Sequence, residues 1–78
     1  MDTKNIKTMR VVTMDREPVE LCKILKFESL VSSGGEAKQV IADGLVRVNG
    51  EVETRKRKKI YSGDMIAFGG QQLKVVLP

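Results

Sequence analysis

The chain has 78 residues, of which 41% are hydrophobic and 31% charged, and its net charge is +4. This length supports one hydrophobic core, and a single cysteine with no histidine excludes disulfides, Cys/His zinc sites and histidine acid–base catalysis. We therefore expect a single domain that binds a partner, without enzymatic activity, metal or cofactor. No apolar stretch has the length of a signal peptide or a membrane span, which predicts a cytoplasmic protein that does not bind membranes.

The N-terminal part of the sequence predicts a tail, a strand and a helix. Residues 1–9 are mostly polar and predict a flexible tail, which leaves residues 10–78 as the domain. Residues 10–14 are rich in β-branched side chains and predict a first strand. Pro18 suits the first position of a helix, which we expect to reach Phe27. Its buried side is expected to comprise Leu21, Cys22, Ile24 and Leu25, and its solvent side Glu20, Lys23 and Lys26.

A second helix is predicted after the Ser-Ser-Gly-Gly stretch. Ser33 and Glu36 have the spacing of a capping box, in which each side chain accepts a hydrogen bond from the other residue's backbone N–H. Gly44 stands where a glycine in the left-handed conformation commonly ends a helix. We therefore expect a helix from Ser33 to Gly44 whose buried side comprises Ala37, Val40 and Ile41.

The C-terminal half of the chain predicts short strands. Asn49-Gly50 is a hairpin signal. A two-residue loop would pair Val48 with Glu51, whereas a three-residue loop would keep Val46, Val48 and Val52 on the core side, so we expect the odd-length turn. Turns at 61–64 and 69–70 separate further strands at 65–68 and 72–77. This order of elements predicts an α+β fold with two helices packed on a small antiparallel sheet.

Five successive cations, from Arg55 to Lys59, form the densest feature of the sequence, which we call the basic segment. Side chains alternate in an extended chain, so one sheet face cannot cover all five, and we expect an edge strand or a loop. Lysines at a strand edge also prevent aggregation, but five adjacent cations within about one Debye length, about 8 Å, produce a potential that this role does not require. We therefore interpret the basic segment as a phosphate-binding surface. Its candidate residues are Arg55, Lys56, Arg57, Lys58 and Lys59, with Lys38 and Arg47 extending the surface.

Two kinds of side chain decide how such a surface would recognise its ligand. Arg55 and Arg57 are expected to make the main contacts, because a guanidinium binds phosphate through two parallel hydrogen bonds. The aromatic residues are Phe27, Tyr61 and Phe68, with no tryptophan, which does not indicate a platform for stacking bases. We expect Phe27 and Phe68 in the core, and recognition by shape and backbone charge.

Several stretches of the chain occur in the order typical of a known family: Leu21 to Leu25, Ser33 to Lys38, Gly44 to Gly50, and Gly63 to Ile66. With these stretches the chain resembles the S4-type RNA-binding domain over residues 18–76. Val19 to Cys22 and Val52 to Arg57 make it most similar to the small stand-alone bacterial S4-like proteins related to YbcJ.

This resemblance implies an αL-type motif that binds structured RNA of the ribosomal or transfer RNA class. Typical S4 domains have an arginine after the serine that opens the second helix, and this chain has Gly34 there. Lys38 matches a basic position later in the same helix, and we expect the basic segment to compensate for the missing arginine. The expected RNA-binding residues are Lys38, Arg47, Arg55, Lys56, Arg57, Lys58 and Lys59, in a protein that acts as a monomer. A protein-interaction module that binds an acidic protein partner is the alternative, because it would show the same charge pattern.

Overall fold

A computed structural model describes residues 8–77. Within this range the two helices are α1 (Leu21–Phe27) and α2 (Gly34–Ala42). The strands of the same range are β1 (Thr8–Thr13), β2 (Val19–Glu20), β3 (Arg47–Val48), β4 (Glu51–Val52), β5 (Lys59–Ile60), β6 (Met65–Phe68) and β7 (Gln71–Val76). The predicted turns at 61–64 and 69–70 and the strands that follow them are confirmed.

The strands form a five-stranded sheet in the order β1-β7-β6-β3-β4 and a smaller sheet of β2 and β5. β1 pairs with β7 in parallel, and the other strand pairs are antiparallel. The predicted α+β fold with two helices on a small sheet is confirmed, with a sheet that is mixed rather than purely antiparallel. Thr8 and Met9 belong to β1 rather than to the predicted tail, and residues 1–7 and 78 lie outside the described residues.

The start of α1 differs from the prediction. Val19 and Glu20 form β2, which pairs with Ile60 and Lys59 of β5, so the helix begins at Leu21 and Pro18 lies before it. Glu20 is the N-cap residue, but its side chain makes no capping hydrogen bond. The prediction from Pro18 was wrong because pairing with a distant strand extends the two residues that a local helix pattern would have included.

The start of α2 is capped partly as predicted. The Ser33 hydroxyl accepts a hydrogen bond from the backbone N–H of Glu36 at 3.1 Å. The reciprocal bond goes to a different serine: the Glu36 carboxylate accepts from the backbone N–H and the hydroxyl of Ser32, at 2.8 and 2.7 Å. Ser32 offers this carboxylate two donors at once, and both bonds hold the pKa of Glu36 below its ordinary value. Gly44, with φ of 78°, ends the helix as predicted.

The hairpin between β3 and β4 has a two-residue turn. Arg47 pairs with Val52, so the predicted odd-length turn was wrong. Asn49 and Gly50 both have positive φ, 53° and 88°, as a tight turn of this kind requires. The Asn49 side chain accepts a hydrogen bond from the Met65 N–H at 2.9 Å and thereby ties the turn to β6. Val52 consequently lies on the outer side of the sheet, 48% exposed.

The hydrophobic core lies between the two helices and the inner side of the sheet. Its fully buried large side chains are Leu21, Leu25, Ile41, Val46, Ile60, Ile66, Leu73 and Val75. Cys22 is buried among them, as expected. Phe68 packs against the core, but Phe27 is 68% exposed, so its predicted core position was wrong. Phe27 follows Lys23 by four residues and therefore shares the solvent side of α1 with it.

Candidate functional site

The basic segment folds into a turn instead of an extended strand. The Lys58 N–H donates to the Arg55 carbonyl at 3.2 Å, which closes a turn around Lys56 and Arg57 before Lys59 enters β5. The five side chains therefore do not alternate between two sides as an extended chain would. The basic segment was expected to form either a loop or an edge strand. In the structure it is a loop that ends in the short strand β5.

Backbone hydrogen bonds fix this turn to the start of α1. The Lys58 carbonyl accepts from the Leu21 N–H at 2.8 Å, and the Lys56 carbonyl accepts from the Cys22 N–H at 3.3 Å. These first N–H groups of a helix have no partner within the helix. The basic segment therefore caps α1, and its side chains are held next to those of the helix.

This attachment creates a concave surface between α1, α2 and the turn. Four cations line it: Lys23 and Lys26 from α1, Lys38 from α2 and Arg57 from the turn. The other lining residues are Glu20, Cys22, Phe27 and Gly34. We call this surface the basic groove.

The positive charge of the basic groove is not compensated locally. All four cations are exposed, and within residues 8–77 none of them forms a salt bridge. Glu20 is the acidic residue among the lining side chains, against four cations. Four positive charges around one concavity attract an anion and bind it more strongly than isolated surface charges do.

Gly34 gives the groove its open floor on the side of α2. It precedes Lys38 by four residues, so the two positions lie on the same face of the helix. Apart from its chain neighbours and the backbone of its own helix, a Cβ atom added at Gly34 would meet no atom within 4 Å. The resemblance places an arginine at this position. Here Gly34 contributes no side chain, and Lys38 and Arg57 line the same concave surface.

Arg55 has a different environment from Arg57, although both are exposed. Its Nε and Nη2 atoms donate to the two carboxylate oxygens of Glu53, at 2.9 and 3.1 Å, and its backbone N–H donates to the same carboxylate at 3.0 Å. These bonds lower the pKa of Glu53 from 4.5 to about 2 and raise the pKa of Arg55. The guanidinium expected to be a main phosphate contact is already bound to a carboxylate of its own chain.

The remaining candidates are distributed unevenly. Arg55, Arg57, Lys58, Lys59 and Tyr61 line a second, shallower depression next to the basic groove, and Arg57 belongs to both. Lys56 is exposed in the turn and lines neither depression. Arg47 lies on β3, where it donates to the Gly50 carbonyl at 3.3 Å, and it is also absent from both linings.

Lys23, Lys26 and Phe27 were missed as site residues by sequence reasoning. The lysines were expected to be solvated, and the phenylalanine was expected in the core. Their spacing contained a signal, because residues three and four positions apart project from one face of a helix. The sequence did not show that Arg57 and Lys38 lie next to this face of α1.

Two further properties of the described part of the chain are relevant to function. Among residues 8–77, no group of three or more Asp, Glu or Cys side chains could hold a metal ion. In the same range, neither helix combines the length and the apolar content needed to cross a bilayer.

Comparisons with known proteins agree on one family. The family model of the S4 domain matches residues 12–76. The chain is 46% identical over 69 residues to the Escherichia coli (strain K12) protein named "Putative RNA-binding protein YbcJ", covering 87% of this chain and 99% of that protein. It is 34% identical over 59 residues to the Bacillus subtilis (strain 168) protein named "Probable ribosome maturation protein RlbA", covering 76% and 83%.

A solved structure supports the same grouping. The solution structure of YbcJ from E. coli, described as revealing an αL motif involved in RNA binding, superposes with a TM-score of 0.68 at 44% identity and covers 91% of each chain. The resemblance noted in the sequence is thereby confirmed. With the fold, the sequence identity and the family model in agreement, this chain belongs to the S4 domain family.

Proposed function

We propose that this protein binds structured RNA of the ribosomal or transfer RNA class, without catalysing a reaction, and that the basic groove is its main binding surface. The observation that carries this proposal is the convergence on one concavity of four cations from three separate parts of the chain, none of which forms a salt bridge within residues 8–77. Lys23, Lys26, Lys38 and Arg57 would contact phosphates, which supply most of the affinity in such complexes.

The names of the relatives support RNA as the ligand. YbcJ is named for RNA binding, and its structure is described by a motif involved in RNA binding. RlbA is named for ribosome maturation, which favours ribosomal RNA within the proposed class. A-form RNA helices are recognised mainly through their shape and their backbone, and this agrees with a surface that is rich in cations.

The second depression, beside the basic groove, would enlarge the RNA-binding surface. Lys58, Lys59 and Tyr61 lie beside Arg57, so a backbone bound in the basic groove can continue across the turn. Lys56 projects from the same turn and would add charge at its tip. Arg47 is the weakest of the candidates, since it lies on β3 and lines neither depression.

A matched pair of lysine variants tests the groove. Lys26 and Lys74 are both exposed, but Lys26 lines the basic groove whereas Lys74 lies on β7. Removing one phosphate contact from a duplex-like backbone weakens binding about fivefold at about 0.15 M salt. We expect Lys26→Gln to lose this factor in a fluorescence anisotropy titration with a structured ribosomal RNA fragment, and Lys74→Gln to bind like the wild type.

Equal losses of affinity in the two variants would show that net charge alone determines binding. They would contradict the role of the basic groove as the main binding surface.

A pull-down from cell extract with and without ribonuclease tests the class of partner. Partners that disappear after ribonuclease treatment support RNA binding. A protein that stays bound to the wild type and is lost in Lys26→Gln would instead support a module that binds an acidic protein.

A further inference from the structure

Phe27 is a large apolar side chain in solvent next to the basic groove. It is 68% exposed at the last position of α1, although burying a phenylalanine side chain stabilises a folded protein. Single exposed apolar residues are common on protein surfaces and by themselves indicate nothing. The surroundings of Phe27 are what distinguish it.

Cations lie on both sides of the Phe27 side chain. On one side it lines the basic groove with Lys26, Lys38 and Arg57. On the other side it lines a neighbouring depression whose cations are Arg16, Lys23 and Lys59. Asp15 and Glu20 line this depression as well, and Arg16 forms a salt bridge with Asp15 at 3.7 Å. Phe27 and Lys23 line both concavities, so the aromatic ring lies between two surfaces in which cations outnumber carboxylates, most strongly in the basic groove.

This arrangement matches a ligand that is both anionic and flat. A fully paired helix offers phosphates but keeps its base faces stacked, whereas an unpaired nucleotide offers a phosphate and a free aromatic face together. Stacking of a base on an aromatic side chain is tolerant of sequence, because every base has a π-face. The carboxylates of an acidic protein segment would satisfy the cations but offer no flat π-face to the aromatic ring.

We infer that Phe27 stacks on an unpaired base of the bound RNA while the lysines of α1 hold the adjoining phosphates. This inference rests on the proposed function and deepens it, because it assigns the site to a helix that contains a bulge or a flipped nucleotide rather than to a continuous duplex. It adds base stacking to the recognition by shape and backbone charge that the sequence predicts.

Three RNA hairpins with the same stem test the inference. One stem is fully paired, one contains a single bulged adenine, and one contains an abasic nucleotide at the bulge. We expect the wild type to prefer the bulged adenine over the other two. We expect Phe27→Leu, which keeps an apolar side chain and removes the ring, to lose about tenfold in affinity for the bulged adenine and to bind the other two hairpins unchanged.

A fluorescent variant gives a direct readout of stacking. The chain has no tryptophan, so Phe27→Trp introduces a single indole at this position. We expect its emission to be quenched by the bulged adenine and much less by the abasic hairpin at the same saturation. Circular dichroism verifies that both variants are folded. We expect them to be, because the Phe27 side chain is exposed and contributes little to the core.

The outcomes separate this inference from the proposed function. Equal affinity of the wild type for all three hairpins, or an equal loss in Phe27→Leu for all three, would overturn the stacking role and leave RNA binding through the groove intact. If Lys26→Gln binds the hairpins as tightly as the wild type, the basic groove is not the main binding surface. This holds even if Phe27→Leu still abolishes the preference for the bulge. Absence of binding to every hairpin would overturn both.

Discussion

Arg55 and Arg57 lie two residues apart in the basic segment, but the structure predicts different contributions to RNA binding. Arg57 lines the basic groove without a carboxylate partner among the described residues, whereas both oxygens of Glu53 already bind Arg55. A phosphate that binds Arg55 must first displace this carboxylate. We therefore expect Arg57→Ala to weaken RNA binding more than Arg55→Ala, although both variants lose one positive charge.

The salt dependence of affinity gives the magnitude. Each phosphate neutralised on a duplex contributes about 0.9 to the slope of log affinity against log salt. Arg57→Ala should therefore flatten the slope by about 0.9, so that the ratio of wild-type to variant affinity changes about 3.5-fold between about 50 and 200 mM salt. Arg55→Ala should leave the slope almost unchanged. Glu53→Gln should make it steeper, because the substitution releases the Arg55 guanidinium for a phosphate.

Fluorescence anisotropy titrations with one structured RNA at several salt concentrations measure all four slopes. Thermal unfolding of each variant serves as the control for folding. Arg57 is exposed, so Arg57→Ala should leave the stability nearly unchanged. Arg55→Ala should lower the stability only by the small contribution of an exposed ion pair. Equal flattening in the two arginine variants would refute the reasoning. It would mean that the RNA backbone displaces Glu53 without cost and that the intramolecular pair does not select between the arginines.

The Arg55 hydrogen bonds lower the pKa of Glu53 to about 2, so the pair should stabilise the folded state fully above about pH 4.5. This stabilisation should be lost as the pH falls from 4.5 to about 2. An NMR titration of the Glu53 carboxyl with a midpoint near 4.5 would argue against the pair. Gly44→Ala should lower the free energy of unfolding by about 1 kcal/mol, because φ is 78° there. Gly35→Ala, inside α2 with only the Ser33 hydroxyl at 3.8 Å from the new Cβ, should raise it by about 0.5 kcal/mol. Melting temperatures that shift in the same direction would contradict the assigned backbone conformations.

Local sequence patterns predicted the elements that depend on local physics. The Ser33 cap and Gly44 termination of α2 follow from hydrogen bonds and backbone conformations within a few residues. The turn residues at 61–64 and 69–70 separate the strands as expected. In each case the residues that specify the feature are the residues that form it.

Errors arose where a distant segment competed with a local pattern. Val19 and Glu20 fit a helix by themselves, but pairing with β5 makes them a strand. The sequence favours a longer turn that keeps Val52 in the core. In the structure the Asn49 N–H donates to the Met65 carbonyl and the Asn49 side chain accepts from the Met65 N–H, and these bonds to β6 stabilise the tight turn that leaves Val52 outside. A pattern of hydrophobic residues does not include the hydrogen bonds that another strand offers.

By itself, the sequence determined the family, the α+β class and the presence of a cationic segment, because these depend on composition and on the order of local signals. Only the tertiary structure decided which cations lie together on one surface. The carbonyls of Lys56 and Lys58 bind the start of α1, and this brings Arg57 to Lys23, Lys26 and Lys38 while Arg55 remains with Glu53. The physical reason is that electrostatic potential and stacking depend on distances through space, which the chain sets only when α1, α2 and the turn have packed together.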